Sequence, residues 1–171
     1  RESFMLRLGH RINQASDQAG NESFAVLFVD LNRFKHINDH YGHGIGDQVL
    51  IEIAQRLRVT VGPENLVARL SGDEFVVLLV QVEGQESLER MRLQIQDALK
   101  EPLMALGHAA LAQVDFGGAV GEALFPNDGR DAESLLKKAD RRMYSQKFAE
   151  RMEGHEHPLR RVADQLEIPL S

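Results

Sequence analysis

The sequence has no cysteine, so it carries neither disulfides nor a thiolate metal site, and nothing in it opposes a cytoplasmic setting. No apolar run approaches the roughly 20 residues needed to cross a bilayer, and no signal peptide is visible. That excludes a spanning segment within these residues and gives no reason to expect membrane contact. An excess of positive charge is also missing. The 20 Lys and Arg stand against 26 Asp and Glu, a net charge of −6, which argues against broad electrostatic binding to nucleic acid. A polyanion such as a nucleotide would need a metal ion and a few placed cations to bring it in. What is present is 171 residues, 43% hydrophobic and 27% charged, proportions that suit one globular domain with a real core and a little spare chain.

The stretch Leu66–Val80 organises the rest. Two apolar runs flank Ser71-Gly72-Asp73-Glu74, which predicts a β-hairpin with a Gly-Asp turn and two inner strands. Adjacent carboxylates at such a tip are either a solvated acidic turn or a working pair. Upstream, Phe24–Val29 is an unbroken apolar run, as in a strand covered on both faces, and it ends in Asp30. A carboxylate at the exit of a buried strand needs water, a cation or a metal. If the two strands are neighbours, Asp30, Asp73 and Glu74 converge at one end of the sheet. A hard divalent cation, Mg²⁺ by preference, is then the natural occupant, with phosphate oxygens completing its shell.

The remaining chain alternates helices with turns. A helix runs from the start to about Ala19, with Leu6, Leu8, Ile12 and Ala15 on its apolar face; opening without a preceding cap, it reads as cut from something longer. Asn32–Tyr41 is a short helix that sets Lys35 and Asn38 one turn apart. Gly42–Asp47 reads as a glycine-rich turn, for phosphate or simply for helix-to-helix reversal, with Asp47 as N-cap or first-turn acid of the helix carrying Val49, Leu50, Ile53 and Leu57. His36, His40 and His43 match no zinc pattern and read as solvated. A helix from about Glu86 to Lys100 follows. Two strands are expected over 103–106 and 109–120, with Gly117-Gly118 inviting close approach of another backbone. Asp131 caps a last helix through Leu135, Ala139, Met143 and Phe148. Lys147 and Arg151, one turn apart near its C-terminal end, suit either the helix dipole or a phosphate. From Met152 onward the chain reads as a linker with one weak helical turn over 159–166. The order of elements implies an α+β fold, a mostly antiparallel sheet with helices packed on it, close to a ferredoxin-like palm.

Three long motifs in the right order give a specific resemblance. Phe28 to Asp47 with its Asp30, Phe34-Lys35, Asn38-Asp39 and Gly42-His43, then Ala68–Phe75, then Ala139–Lys147, resemble the GGDEF family of diguanylate cyclases. The resemblance covers Arg1 to Arg151 and makes residues 1–151 the domain, its opening truncated, with 152–171 a linker or the start of a following segment. It implies a nucleotidyl-cyclase or polymerase palm that binds GTP. Two such domains form a homodimer in which each 3′-hydroxyl attacks the other GTP's α-phosphate, giving cyclic di-GMP and two pyrophosphates.

Carried over by position, Asp30, the Leu31 carbonyl and Asp73 hold Mg²⁺, or Mn²⁺ in its place. Glu74 is a further ligand or helps deprotonate the 3′-hydroxyl, and Asn38 and Asp47 read the guanine edge. Lys35, Lys147 and Arg151 meet the triphosphate, and Ser71-Gly72 form the tip that approaches the nucleotide. The setting implied is cytoplasmic, on the cytoplasmic face if the whole protein is anchored. Three departures stand out. Ser71 replaces the first glycine of the tip, where strain is expected if the position needs φ > 0. Gly62 and Asn65 replace an Arg-x-x-Asp product site, so feedback inhibition there is expected to be absent. Glu150 replaces the glycine before Arg151. The alternative function is a catalytically silent GTP-binding module regulating an adjoining phosphodiesterase (EAL) domain.

Overall fold

The computed structural model describes residues 2–17, 22–103, 107 and 109–165, with 153–165 as backbone only. Its elements are α1 (Glu2–Asp17), β1 (Phe24–Asn32), α2 (Phe34–Tyr41), α3 (His43–Val61), β2 (Leu66–Ser71), β3 (Glu74–Leu79), α4 (Gln85–Lys100), a 3₁₀ turn (Leu111–Gln113), β4 (Gly117–Phe125) and α5 (Ala132–Gln165). The strands form one antiparallel sheet in the order β2-β3-β1-β4, the α+β palm expected from the sequence.

β1 is central, and its unbroken apolar run has the cause inferred for it. Ala25, Leu27, Val29 and Leu31 pack into a core shared with Ile53 and Leu57 of α3 and Leu88 and Ile95 of α4. Phe24, Val26 and Phe28 pack on the opposite face with Phe4 and Leu8 of α1 and Leu135 and Ala139 of α5. Alternation along a strand sends neighbours to opposite faces, so a strand covered twice has no polar positions to show. Asp131 caps α5 as expected, accepting from the Ser134 backbone N–H at 2.9 Å and the Ser134 hydroxyl at 2.6 Å.

The structure differs from expectation in several places. The hairpin forms, with Gly72-Asp73 at its turn, but β2 is an edge strand rather than an inner one. It pairs with β3 alone and exposes Arg69 and Ser71. Of the strands expected over 103–106 and 109–120, the first falls largely outside the described residues; among the described residues one strand is present, and it starts at Gly117. β1 ends at Asn32, which pairs with Gly117, so residues before Gly117 have no strand to pair with. Instead Leu111 and Phe116 plug the core from a turn. Leu103 is buried outside any strand, and residues 104–106 and 108 lie outside the described set.

Gly42–Asp47 is not an extended turn either. α2 begins at Phe34 rather than Asn32, after Arg33 takes the left-handed conformation at φ 60°. Gly42, at φ 85°, is the single hinge residue between α2 and α3; Gly44 and Gly46 are already helical, and Asp47 lies in the second turn rather than capping. α5 continues to Gln165, where a linker with one weak turn was expected after Met152. No described helix is long and apolar enough to cross a membrane.

Candidate active site

The site forms where β1, the β2–β3 turn and α5 meet. The Leu31 N–H donates to the Asp73 carbonyl at 3.0 Å, which fastens the hairpin turn to β1, and Arg69 Nε donates to the Gly72 carbonyl at 2.8 Å within the turn. Asp30 sits two residues before the end of β1, opposite Glu74 on one side and Ala119 on the other. Its Oδ2 accepts from Lys147 Nζ of α5 at 2.7 Å. Its Oδ1 is buried and has no hydrogen-bond partner among the described residues. Burial pushes the Asp30 carboxyl above the usual 3.8; Lys147 opposes that shift, and the neighbouring Asp73 carboxylate adds to it.

A half-paired carboxylate with one buried oxygen, beside a second carboxylate, calls for a proton or a cation between them. The donors here, two carboxylates and a backbone carbonyl, are hard oxygens of the kind Mg²⁺ takes. Asp30, Asp73 and Glu74 do converge at one end of the sheet, since β1 and β3 are neighbours and Asp30 lies opposite Glu74, but they do not close into a three-carboxylate metal cluster. Among the described residues no three His, Asp or Glu side chains group to hold a metal. Glu74 faces the same side of the sheet as Asp30 but accepts from the Ser71 hydroxyl at 3.1 Å. The donors present therefore fit an ion that draws its remaining ligands from substrate and water.

A cleft of about 830 Å³ opens beside this edge, and Leu31, Lys35, Asp73, Lys147 and Arg151 all line it. Asn38 and Asp47 lie elsewhere on the α2–α3 unit. A Cβ at Gly46 would lie 1.8 Å from Asn38 Oδ1, so the missing side chain makes room for the Asn38 amide next to Asp47. Asp47 itself lines a second groove of about 450 Å³ with Leu50, Arg58 and Arg69.

Ser71 lies in β2, and Arg33 is the one non-glycine among the described residues with positive φ, so the tip's left-handed residue is Gly72, at φ 43°. The strain feared at Ser71 is absent. Gly62 does hold φ 91°, and Asn65 is fully engaged, its amide donating to the Val61 carbonyl at 2.6 Å and accepting from the Val80 N–H at 2.9 Å.

Sequence reasoning missed several residues. A Cβ at Gly121 of β4 would lie 2.0 Å from the Ala139 carbonyl oxygen, so α5 rests there directly on the sheet. A glycine inside a strand was the available signal. The close approach expected at Gly117-Gly118 occurs at Gly118, whose Cβ would lie 3.1 Å from the Asp30 carbonyl oxygen. Lys100 also lines the cleft, and Glu150 lies in it, bonded to Asn32. Lys100 had no local signal pointing to the cleft, whereas Glu150 stood out in the sequence as the departure beside Arg151.

Comparison with known proteins agrees with this geometry. The family described as "Diguanylate cyclase, GGDEF domain" matches residues 1–153. The bifunctional diguanylate cyclase/cyclic di-GMP phosphodiesterase MucR of Pseudomonas aeruginosa is 39% identical over 146 residues, 83% of this chain and 20% of that protein. Diguanylate cyclase TpbB of the same species is 38% identical over 144 residues, 84% of this chain and 32% of that protein. The chain thus spans about a fifth to a third of these relatives' length. The crystal structure of the TpbB GGDEF domain superimposes with a TM-score of 0.78 at 37% identity, covering 87% of this chain and 89% of that one. Alike in sequence and fold over most of its length, the chain belongs to the GGDEF-domain family of diguanylate cyclases.

Proposed function

We propose that this domain condenses two molecules of GTP into cyclic di-GMP and two pyrophosphates. The observation that carries the reading is Asp30, a half-buried carboxylate with one oxygen on Lys147 and the other, itself buried, without a partner among the described residues beside Asp73. Asp30, Asp73 and the Leu31 carbonyl would hold Mg²⁺. When bound, the ion neutralises phosphate charge and makes the 3′-hydroxyl easier to deprotonate. Lys35, Lys147 and Arg151 offset the charge of the triphosphate. Glu74, tethered by Ser71, is the acceptor for the 3′-hydroxyl proton. Asn38 and Asp47 supply an amide and a carboxylate for a base edge that has both acceptors and donors. Gly72 keeps the tip's backbone narrow where the nucleotide enters. One copy of the chain offers one such site, so two copies must face each other.

The functional unit we assign is residues 1–151, with 152–171 a linker outside it, in a cytoplasmic setting. A second reading, a silent GTP-binding module regulating an adjoining phosphodiesterase domain, is favoured by the carboxylate of Glu150 in the cleft. The deciding experiment follows cyclic di-GMP from GTP and Mg²⁺ at high protein concentration, beside Asp73→Asn. The cyclase reading expects product from the native chain, a specific rate that rises with protein concentration, and none from the variant. GTP binding without product from a demonstrated dimer would replace it with the regulatory reading.

A further inference from the structure

Glu150 lies on α5 between Lys147 and Arg151, and all three line the cleft. Its Oε2 accepts from Asn32 Nδ2 at 3.2 Å and its Oε1 from Gln146 Nε2 at 3.1 Å. Gln146 Oε1 in turn accepts from the Val120 N–H at 3.0 Å. The carboxylate is therefore held between the end of β1 and the body of α5, and cannot swing away from an incoming ligand without breaking both bonds. Both of these donors are neutral amides, which fix the side chain without bringing a positive charge to it. Lys147 is meanwhile engaged by Asp30, and Arg33 stands 3.7 Å from Asp115. The cleft holds cations for a polyanion together with the carboxylates of Asp73, Asp115 and Glu150, and of these Glu150 is the one set between Lys147 and Arg151 on α5.

We infer that Glu150 sets the affinity of the cleft for the phosphate end of its ligand, repelling a triphosphate and raising the GTP concentration at which the site fills. The inference rests on the nucleotide reading above. Repulsion between fixed like charges in a partly screened cleft grows with ligand charge. It is largest for GTP, smaller for GMP and absent for guanosine, a grading that no purely structural role would produce.

The test is calorimetric titration of the whole 171-residue chain with GTP, GMP and guanosine in Mg²⁺, using the native protein, Glu150→Gln and Glu150→Ala. Glu150→Gln keeps the shape and an acceptor for Asn32 or Gln146 while removing the charge. GTP should bind about threefold to thirtyfold tighter to it, GMP should gain less, guanosine should not change, and the gain should shrink in high salt. KM for GTP should fall more than kcat moves. Glu150→Ala, which also loses the tether, should keep the same charge grading. Unchanged or weaker GTP binding by Glu150→Gln, or an equal gain for guanosine, overturns the role of Glu150 alone. A native chain that binds none of the three ligands overturns the nucleotide reading, and Glu150 with it.

Discussion

Lys147 Nζ stands 2.7 Å from Asp30 Oδ2, a contact between residues 117 positions apart, while the second oxygen of the same carboxylate is buried and has no partner among the described residues. Leaving a buried polar atom unpaired costs about 1–3 kcal/mol. That cost is reasonable only where a ligand later removes it, and functional sites commonly hold groups that are unfavourable in the empty state. Asp30→Asn keeps an acceptor for Lys147 and offers Asp73 a donor. Thermal unfolding should show a Tm about 2–4 °C higher, from roughly 1 kcal/mol of relief in a domain of this size. Cyclic di-GMP formation should disappear in the same variant. A lower Tm would mean that Asp30 is already satisfied without a cation.

The same carboxyl links stability and metal binding to pH in opposite senses. Its folded-state pKa is raised by burial and by Asp73, against the pull of Lys147, so the folded chain holds this proton more tightly than the unfolded chain does. Asp30 therefore favours folding most at and below its ordinary value of 3.8, and that contribution is lost as pH rises through the raised value. Binding of a divalent cation needs the ionised form and should weaken as pH falls through the same raised value. Titrating Mn²⁺ or Mg²⁺ between about pH 4.5 and 8 checks this, with Asp30→Asn as the comparison, in which the step should vanish.

Gly46→Ala tests how Asn38 and Asp47, the pair proposed to read the base, are assembled. The added methyl would meet Asn38 Oδ1 at 1.8 Å, so the amide must move away from α3. Overpacking of this kind costs about 1–3 kcal/mol of stability. Steady-state kinetics should show KM for GTP rising about tenfold, equivalent to 1.4 kcal/mol, with poorer discrimination against ATP. Unchanged discrimination would separate Asn38 from base reading.

Ser71→Gly should restore the family's glycine without improving the enzyme. Ser71 ends β2 beside a register irregularity but has no positive φ, which Gly72 already supplies at the tip. The substitution removes the hydroxyl that bonds Glu74 and loosens the strand, for a loss of up to about 1 kcal/mol in denaturant unfolding. Turnover should change by less than about threefold, under 0.7 kcal/mol of barrier. A gain of tenfold or more would show that the serine side chain obstructs the site.

How much of this was legible in the sequence follows from the range of the interactions. The doubly covered β1, the hairpin tip, the Asp131 cap and the helix α4 each announce themselves within ten or so residues, through periodicity or local capping. The edge position of β2 does not, because which strand lies outside depends on the order β2-β3-β1-β4 and not on its own composition. The single strand at 117–125 was misread because its start is set by where β1 ends. Of the candidate site, the acids and cations were recognisable by motif. Their pairings were not: Asp30 with Lys147 and Asn32 with Glu150 join residues 117 and 118 positions apart. Gly46 was taken for a turn residue when its role is to leave room for an amide on a neighbouring helix.

Gly121 carries the same principle to the other side of the sheet. Any side chain there would strike the Ala139 carbonyl and the Met143 backbone, so α5 is seated on β4 without a spacer. Lys147 is one helical turn beyond Met143, and Asp30 faces Ala119 just up the ladder. The reach of the lysine to the carboxylate is thus gauged by the thickness of bare backbone. An alanine at 121 would act as a shim, lifting the helix and opening a gap between cation and acid at a point that neither residue touches.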